Sequence, residues 1–281
     1  MTHMAIRGSM GLLVLAAVAS TSWSGATPAH PPDAVAKLSY DGTATSCRSI
    51  AEAALPAARQ GNILALCIAR QAWLAAGDDH RLDRLPYSLE KDVGKEALAT
   101  WQKMINDKAA KGDTFYLNVL GTQYLFGYNV PKDEARGMKV WEDLAAKGDG
   151  FASQKLAALI HTSGDHAPER IKRMLAYEEK AAEKGMPGAI YNLGCYYYEG
   201  RYLERDYKKA FDYFSKAAAA GHAVAARNLG ICYLQGQGVQ TNSARAQMWF
   251  ERAEDAGDDG AISWLNEHFP PVTIRTHGDD D

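Results

Sequence analysis

The sequence predicts an all-α solenoid of stacked helix pairs, and three observations predict it. A glycine recurs at Gly112, Gly148, Gly185, Gly221 and Gly257, at intervals of 36, 37, 36 and 36 residues. A period in that range marks a repeat array, in which each unit buries its apolar face against its neighbours. Eight residues after each anchor comes Leu120, Leu156, Leu193, Leu229 or Leu265; twelve after comes Tyr124, Ile160, Tyr197, Tyr233 or Phe269. Positions four apart share one face of a helix. Helix stops and starts also fall at fixed offsets. Gly127, Gly200 and Gly236 end a first helix, helix A, and Asp133, Asp206 and Asn242 stand where a second, helix B, needs an N-cap.

The elements follow in order. Residues 1–26 read as a secretory signal: Arg7 precedes the apolar run from Met10 to Ala19, and no acid occurs before Asp33. The run is too short to span a bilayer comfortably. Of two small-x-small cleavage patterns, Ala17-Val18-Ala19 and Ser24-Gly25-Ala26, the second is preferred because polar residues fill the space before it. The expected location is therefore periplasmic or secreted, without membrane insertion once the signal is cleaved. Residues 27–42, with Pro28, Pro31 and Pro32, read as a flexible leader. Residues 43–111 read as helices without repeat anchors, an N-terminal cap shielding the open end of the first repeat. The solenoid runs over 112–269, as repeats 112–147, 148–184, 185–220, 221–256 and a partial 257–269. Pro270-Pro271 stops it, and 270–281 forms an acidic tail expected to be disordered.

Within the repeats, small residues sit where helices must approach. Gly121, Gly194 and Gly230 follow the helix A leucine, while Ala210 and Phe214, then Ala246 and Phe250, are spaced four apart in helix B. Gly137 and Trp141 hold those places in the first repeat. The second repeat is worn: Ala157 replaces the glycine, Ser163 the helix-ending glycine, and Glu178 the phenylalanine. One extra residue lies in its connection near His161–Ala167, and Pro168 suits the first turn of its helix B.

The Leu-Gly-x-x-Tyr and Ala-x-x-x-Phe patterns resemble tetratricopeptide repeats. With a 36-residue period and an Ala-Ala-x-x-Gly end, they are most similar to the Sel-one-like repeat (SLR) family. The resemblance covers about residues 112–269. It implies a right-handed solenoid and, for exported bacterial members, an adaptor or regulator that binds proteins. Some members resemble immunity proteins against antibacterial phospholipase effectors. Cysteine-rich members linked to penicillin binding carry two cysteines in each repeat, which this chain does not.

The resemblance places helix A on the concave face. Six residues past each anchor lie Asn118, Gln154, Tyr191 and Arg227; three past lie Phe115, Phe151, Gly188 and Val224; thirteen past lie Leu125, His161, Tyr198 and Leu234. The expected partner-binding residues are Asn118, Gln154, Tyr191, Arg227, Phe115, Phe151, His161 and Tyr198. Aromatic and amide side chains with an arginine suit a protein or peptide surface. A basic residue stands twelve before each anchor, at Arg136, Arg173, Lys209 and Arg245. Long stems covering neighbouring apolar residues explain this column better than an acidic ligand does.

The net charge of −3 and pI near 6.2 give no reason to expect nucleic acid. An even cysteine count in an exported chain permits disulfides, and Cys47–Cys67, inside one expected helix hairpin, is the candidate pair. Cys195 and Cys232 lie one residue out of phase, about 100° around a helix. Cys195 is read as a free, part-buried thiol and Cys232 as a core residue. Ser88-Leu89-Glu90-Lys91 matches S-x-x-K, but its companion S-D-N and K-T-G elements are absent. His161, Asp165 and His166 lack a defined metal-ligand spacing. The expectation is a non-enzymatic scaffold for a protein or peptide partner, with no cofactor and no metal. Its alternatives are immunity to a phospholipase-type effector and a hydrolase acting on cell-wall or β-lactam compounds.

Overall fold

A computed structural model describes residues 40, 43–59, 65, 68, 69, 72, 95–127, 130–164 and 166–270. The signal segment, the leader before Tyr40, Cys67, Ser88, Asp165 and the acidic tail from 271 onward lie outside the described residues. The elements described are all helical: α1 (Ala44–Arg59), α2 (Lys95–Ala110), α3 (Thr114–Phe126), α4 (Glu134–Ala146), α5 (Gly150–Thr162), α6 (Pro168–Glu183), α7 (Pro187–Glu199), α8 (Tyr207–Ala219), α9 (Ala223–Gln235), α10 (Ser243–Asp255) and α11 (Asp259–His268). Helix A of each repeat is α3, α5, α7, α9 or α11; helix B is α4, α6, α8 or α10. The chain divides into two compact units, 1–189 and 190–281. Within unit 1, consecutive helices pack pairwise from α2 to α6; within unit 2 they do so from α8 to α11. The fold is the all-α stack of helix pairs that the period predicts.

The punctuation works as chemistry. Asp113 accepts from the N–H groups of Phe115 and Tyr116, so α3 starts there. Asp133, Asp206 and Asn242 accept from the N–H three residues on, opening α4, α8 and α10. Each such cap stabilises its helix by about 1 kcal/mol. The five anchor glycines all take φ between 74° and 90°, the left-handed region that ends α2 and each helix B without a Cβ penalty.

The core follows the small residues. A Cβ on Gly121 would lie 2.8 Å from Trp141 Nε1, and one on Gly230 would lie 2.7 Å from Phe250 Cε1. The missing Cβ therefore seats the large helix B ring against helix A. Trp141, Phe214 and Phe250 are fully buried, each such side chain contributing roughly 1.5–3 kcal/mol by leaving water. The worn repeat solves its termini differently. Helix α5 ends at Ser163 in a right-handed conformation, and the left-handed residue is Gly164. Helix α6 has no side-chain cap and begins on Pro168, whose fixed φ suits a first turn. Glu178 is buried there.

The N-terminal region reaches further than an end cap. Helix α1 packs through Ile50, Ala51, Ala54 and Leu55 on Trp101, Ile105, Phe115 and Val119. Its first turn packs through Ala44 and Cys47 on Phe151, Ala181, Met186 and Ala189. All of this lies within unit 1.

Candidate functional site

The column six residues past each anchor carries the site, and its geometry joins one repeat to the next. Arg227 Nε donates to Asp258 Oδ2 at 2.6 Å, and both side chains are largely shielded, 15% and 9% exposed. Asp258 is also the N-cap of α11. In unit 1, Asn118 Nδ2 donates to Asp149 Oδ2 at 3.0 Å, and Asp149 caps α5 through the Ala152 N–H at 2.8 Å. The third case is aromatic: Tyr191 stacks on His222 at 4.4 Å between centroids, and His222 caps α9 through Nδ1. In all three the partner lies 31 residues on, one past the next anchor glycine. The fourth member, Gln154, sets its amide against Gly188, where a Cβ would collide with it.

Of the eight residues expected to line a groove, the structure buries Phe115, Asn118 and Phe151. Phe115 packs edge-on against Tyr40 and Tyr116. Phe151 meets Trp141 edge-on at 6.3 Å and carries the Lys155 ammonium 5.1 Å above its ring. Gln154, His161, Tyr191, Tyr198 and Arg227 are half-buried. Tyr191 and Arg227 thus bind neighbouring repeats and also reach the surface. Burial raises the Tyr191 hydroxyl pKa well above the usual tyrosine range, with Cys195 beside it adding to the rise. Tyr198 rests on Tyr207 and Phe214. Gln154, Asn118 and Tyr40 fall in unit 1 and Tyr191, Tyr198 and Arg227 in unit 2.

Cys195 and Cys232 are not arranged for nucleophilic chemistry. Cys47 is buried and Cys67 lies outside the described residues, so their pairing is untested. Cys195 and Cys232 are free thiols, each pushed up to about 12 by burial, which keeps them protonated and poorly nucleophilic. No group of three metal-ligating side chains occurs among the described residues. No described helix is long and apolar enough to cross a membrane.

Sequence reasoning missed Asp149, His222 and Asp258. The signal was present, because each stands at a constant 31 residues from a chemically matching side chain.

The Sel1 repeat family matches residues 117–149, 187–222 and 223–258. The chain thus carries three Sel1 repeats. No curated protein matches its sequence at the same standard. Among solved structures, a Sel1 repeat protein from Oxalobacter formigenes is 22% identical, with a TM-score of 0.56 over 78% of this chain and 84% of that one. A protective antigen of uropathogenic Escherichia coli with an SLR fold is 26% identical, with a TM-score of 0.54 over 77% of this chain. This chain spans only 43% of that antigen. An immunity protein of Pseudomonas aeruginosa is 19% identical, with a TM-score of 0.46 over 71% of each chain. The Sel1 matches begin or end close to Asp149, His222 and Asp258, so the boundary between matched units falls at the repeat-joining residues.

Proposed function

We propose that this Sel1-repeat protein is an exported, periplasmic or secreted scaffold that binds a protein or peptide on its helix A surface. The observation that carries the reading is the state of these half-buried side chains. Tyr191 and Arg227 are clamped by His222 and Asp258, and Tyr198 is wedged on Tyr207 and Phe214. Aromatic and arginine anchors held in one rotamer before binding lose little entropy on complex formation. The apolar run ahead of residue 27 supports export.

The test is affinity capture from an envelope fraction with the whole chain as bait, repeated with Tyr198→Ala, His161→Ala and a control, Lys216→Ala. Tyr198→Ala weakens the captured partner's binding at least about tenfold, as loss of a central aromatic anchor does, while Lys216→Ala leaves it unchanged. Equal capture by all variants defeats the helix A assignment. A captured phospholipase-type effector, with its toxicity suppressed, selects the immunity form of this reading. N-terminal mass analysis of the envelope protein tests export: an uncut terminus in the cytosol sinks it.

A further inference from the structure

The helix A face of unit 1 is covered by the chain's own N-terminal segment. Ala44, Cys47, Ala51 and Ala54 point inward, none more than 2% exposed. Within α1 they recur at steps of three, four and three, the seam of a helix packed in coiled-coil fashion, and Tyr40 stands ahead of that seam. Their small side chains let the α1 backbone come close: the Ala44 N–H donates to the Lys184 carbonyl at 3.4 Å. At the head of the segment, the Tyr40 ring stands edge-on to Phe115 at 5.9 Å. Its hydroxyl donates to the Asp149 carboxylate and lies 3.4 Å from the Asn118 amide.

The fit fails at one point. Asn118 is 3% exposed, yet its Oδ1 has no hydrogen-bond partner. Beside it, the donors that hold the buried Asp149 carboxylate among the described residues are neutral: the Ala152 and Phe151 N–H groups, the Tyr40 hydroxyl and the Asn118 amide. A buried carboxylate without a cation is costly. Unit 2 shows what the same register holds when it is complete, because there Arg227 brings a guanidinium to Asp258. In unit 1 that register holds Asn118, which carries no charge. A guanidinium offers five donors in a planar fork, enough for Asp149 and the orphaned Asn118 oxygen together; a phenol offers one.

We propose that this face of unit 1 binds a helical segment of the partner protein, that Tyr40 and the Ala44–Ala54 part of α1 occupy it as an internal stand-in, and that the partner's segment presents an arginine to Asp149 and Asn118 above a seam of small residues. The inference rests on the scaffold reading and names the partner's chemistry. A tethered stand-in competes at high effective concentration, so only a better-matched helix displaces it.

The test uses three fluorescent peptides with the sequence of residues 40–59: unaltered, Tyr40→Arg and Tyr40→Ala. Each is titrated under reducing conditions into the whole purified chain and into the chain carrying Ala44→Glu, which forces a charge into the seam and releases the internal segment. On Ala44→Glu, the Tyr40→Arg peptide binds at least about tenfold tighter than the unaltered one, and Tyr40→Ala binds weakest. On the native chain all three bind at least about tenfold more weakly than on Ala44→Glu. Adding Asp149→Asn to the released chain keeps the helix cap and abolishes the arginine preference. Equal affinity of the three peptides, or no binding while the cooperative melt is retained, overturns the inference. If Ala44→Glu loses its cooperative melt, Tyr40→Ala serves as the released chain, with the same two outcomes. Failure of the peptides alongside Tyr198-sensitive capture of a partner overturns this inference and leaves the scaffold reading standing. Arginine-selective peptide binding without capture upholds the unit 1 site and sinks the Tyr198 surface.

Discussion

In unit 2 one residue six past an anchor glycine, Arg227, reaches a largely shielded Asp258. In unit 1 one residue of that register, Asn118, reaches a buried Asp149. The backbone relation is the same, 31 residues apart and ending on the N-cap of the next helix A, but the chemistry differs. So does the residue three past the next anchor: Gly260 beside Arg227, and Phe151 in the equivalent place after Asn118. A long charged side chain goes with a bare backbone, and a short amide goes with a large ring. The helix-pair geometry fixes where two repeats touch, and side-chain volume then divides the space between both partners. The unit 1 solution holds a buried carboxylate on neutral donors where unit 2 supplies a guanidinium, and that difference carries the inference about the partner's arginine.

The largest expected effect tests how much the buried version contributes. Asp149→Ala costs about 3 kcal/mol: roughly 1 from the lost cap, the rest from the Asn118 amide and Tyr40 hydroxyl left buried without an acceptor. Asp258→Ala costs about 1–2 kcal/mol, because Arg227 regains water more easily. Urea unfolding of the two variants compares them, and equal losses would show that burial does not separate the units. A pH series sharpens the point. Burial raises the folded pKa of Asp149 above its unfolded value, so between the two values the folded state binds more protons. Native stability therefore falls as pH rises through that window, and the loss persists above it. The stability of Asp149→Asn relative to the native chain should rise through the same window and then level off. A pH-independent difference contradicts the assignment.

The second prediction exchanges the two solutions. Gly260→Phe puts a ring where a Cβ alone would lie 3.1 Å from Arg227 Nε, and costs about 2 kcal/mol by overpacking. Adding Arg227→Asn rebuilds the unit 1 pairing in unit 2 and recovers about half of that, because a short amide leaves the ring its space. Thermal melts of the single and double variants decide it. If Arg227→Asn adds its own loss instead of restoring stability, the volume exchange is wrong.

Much of this was legible before any coordinates. The anchor glycines, the Leu-Gly-x-x-Tyr faces and the caps at Asp133, Asp206 and Asn242 depend on local geometry, and local geometry leaves a periodic trace. The functional column was legible as a column but not in its role. Asn118, Tyr191 and Arg227 fall off the Leu/Tyr face, which separates them from the helix A–helix B core; it does not tell whether a ligand or the next repeat fills the space. The answer lay in a second column, at Asp149, His222 and Asp258, whose pairing spans two repeats. The path of α1 left still less trace. A seam of Ala44, Cys47, Ala51 and Ala54 is compatible with many neighbours, and the small side chains that permit its close approach specify none of them.

The third prediction is a double-mutant cycle on Arg227 and Asp258. Arg227→Ala and Asp258→Ala couple by about 1 kcal/mol, more than an exposed ion pair, because both side chains are mostly shielded. Tyr191→Ala should likewise lower the melting temperature, since its ring stacks on His222. Partner-binding assays at Tyr191, Arg227 and Tyr198 therefore each need a stability control, because Tyr198 also packs on Tyr207 and Phe214. A coupling near zero, with unchanged melts, would return Tyr191 and Arg227 to a purely surface role.

The smallest effect concerns the basic column. Arg136, Lys209 and Arg245 lie over the tyrosine ring of their own repeat, at 4.3 Å from Tyr124, 5.0 Å from Tyr197 and 5.6 Å from Tyr233. The second repeat has Ile160 where the ring would be, and there Arg173 turns to Glu142 at 3.4 Å. The cation follows the ring, which is the behaviour of a long stem covering its own helix pair. Lys209→Ala should cost about 0.5 kcal/mol, the scale of an exposed cation–π contact, with little dependence on salt. It should leave partner binding unchanged. A strongly salt-dependent loss of binding in Lys209→Ala and Arg245→Ala, at unchanged stability, would instead make the column a stripe for an acidic ligand. Tyr197→Phe, which removes the hydroxyl and keeps the ring under Lys209, should not reproduce it, so that variant separates the two explanations.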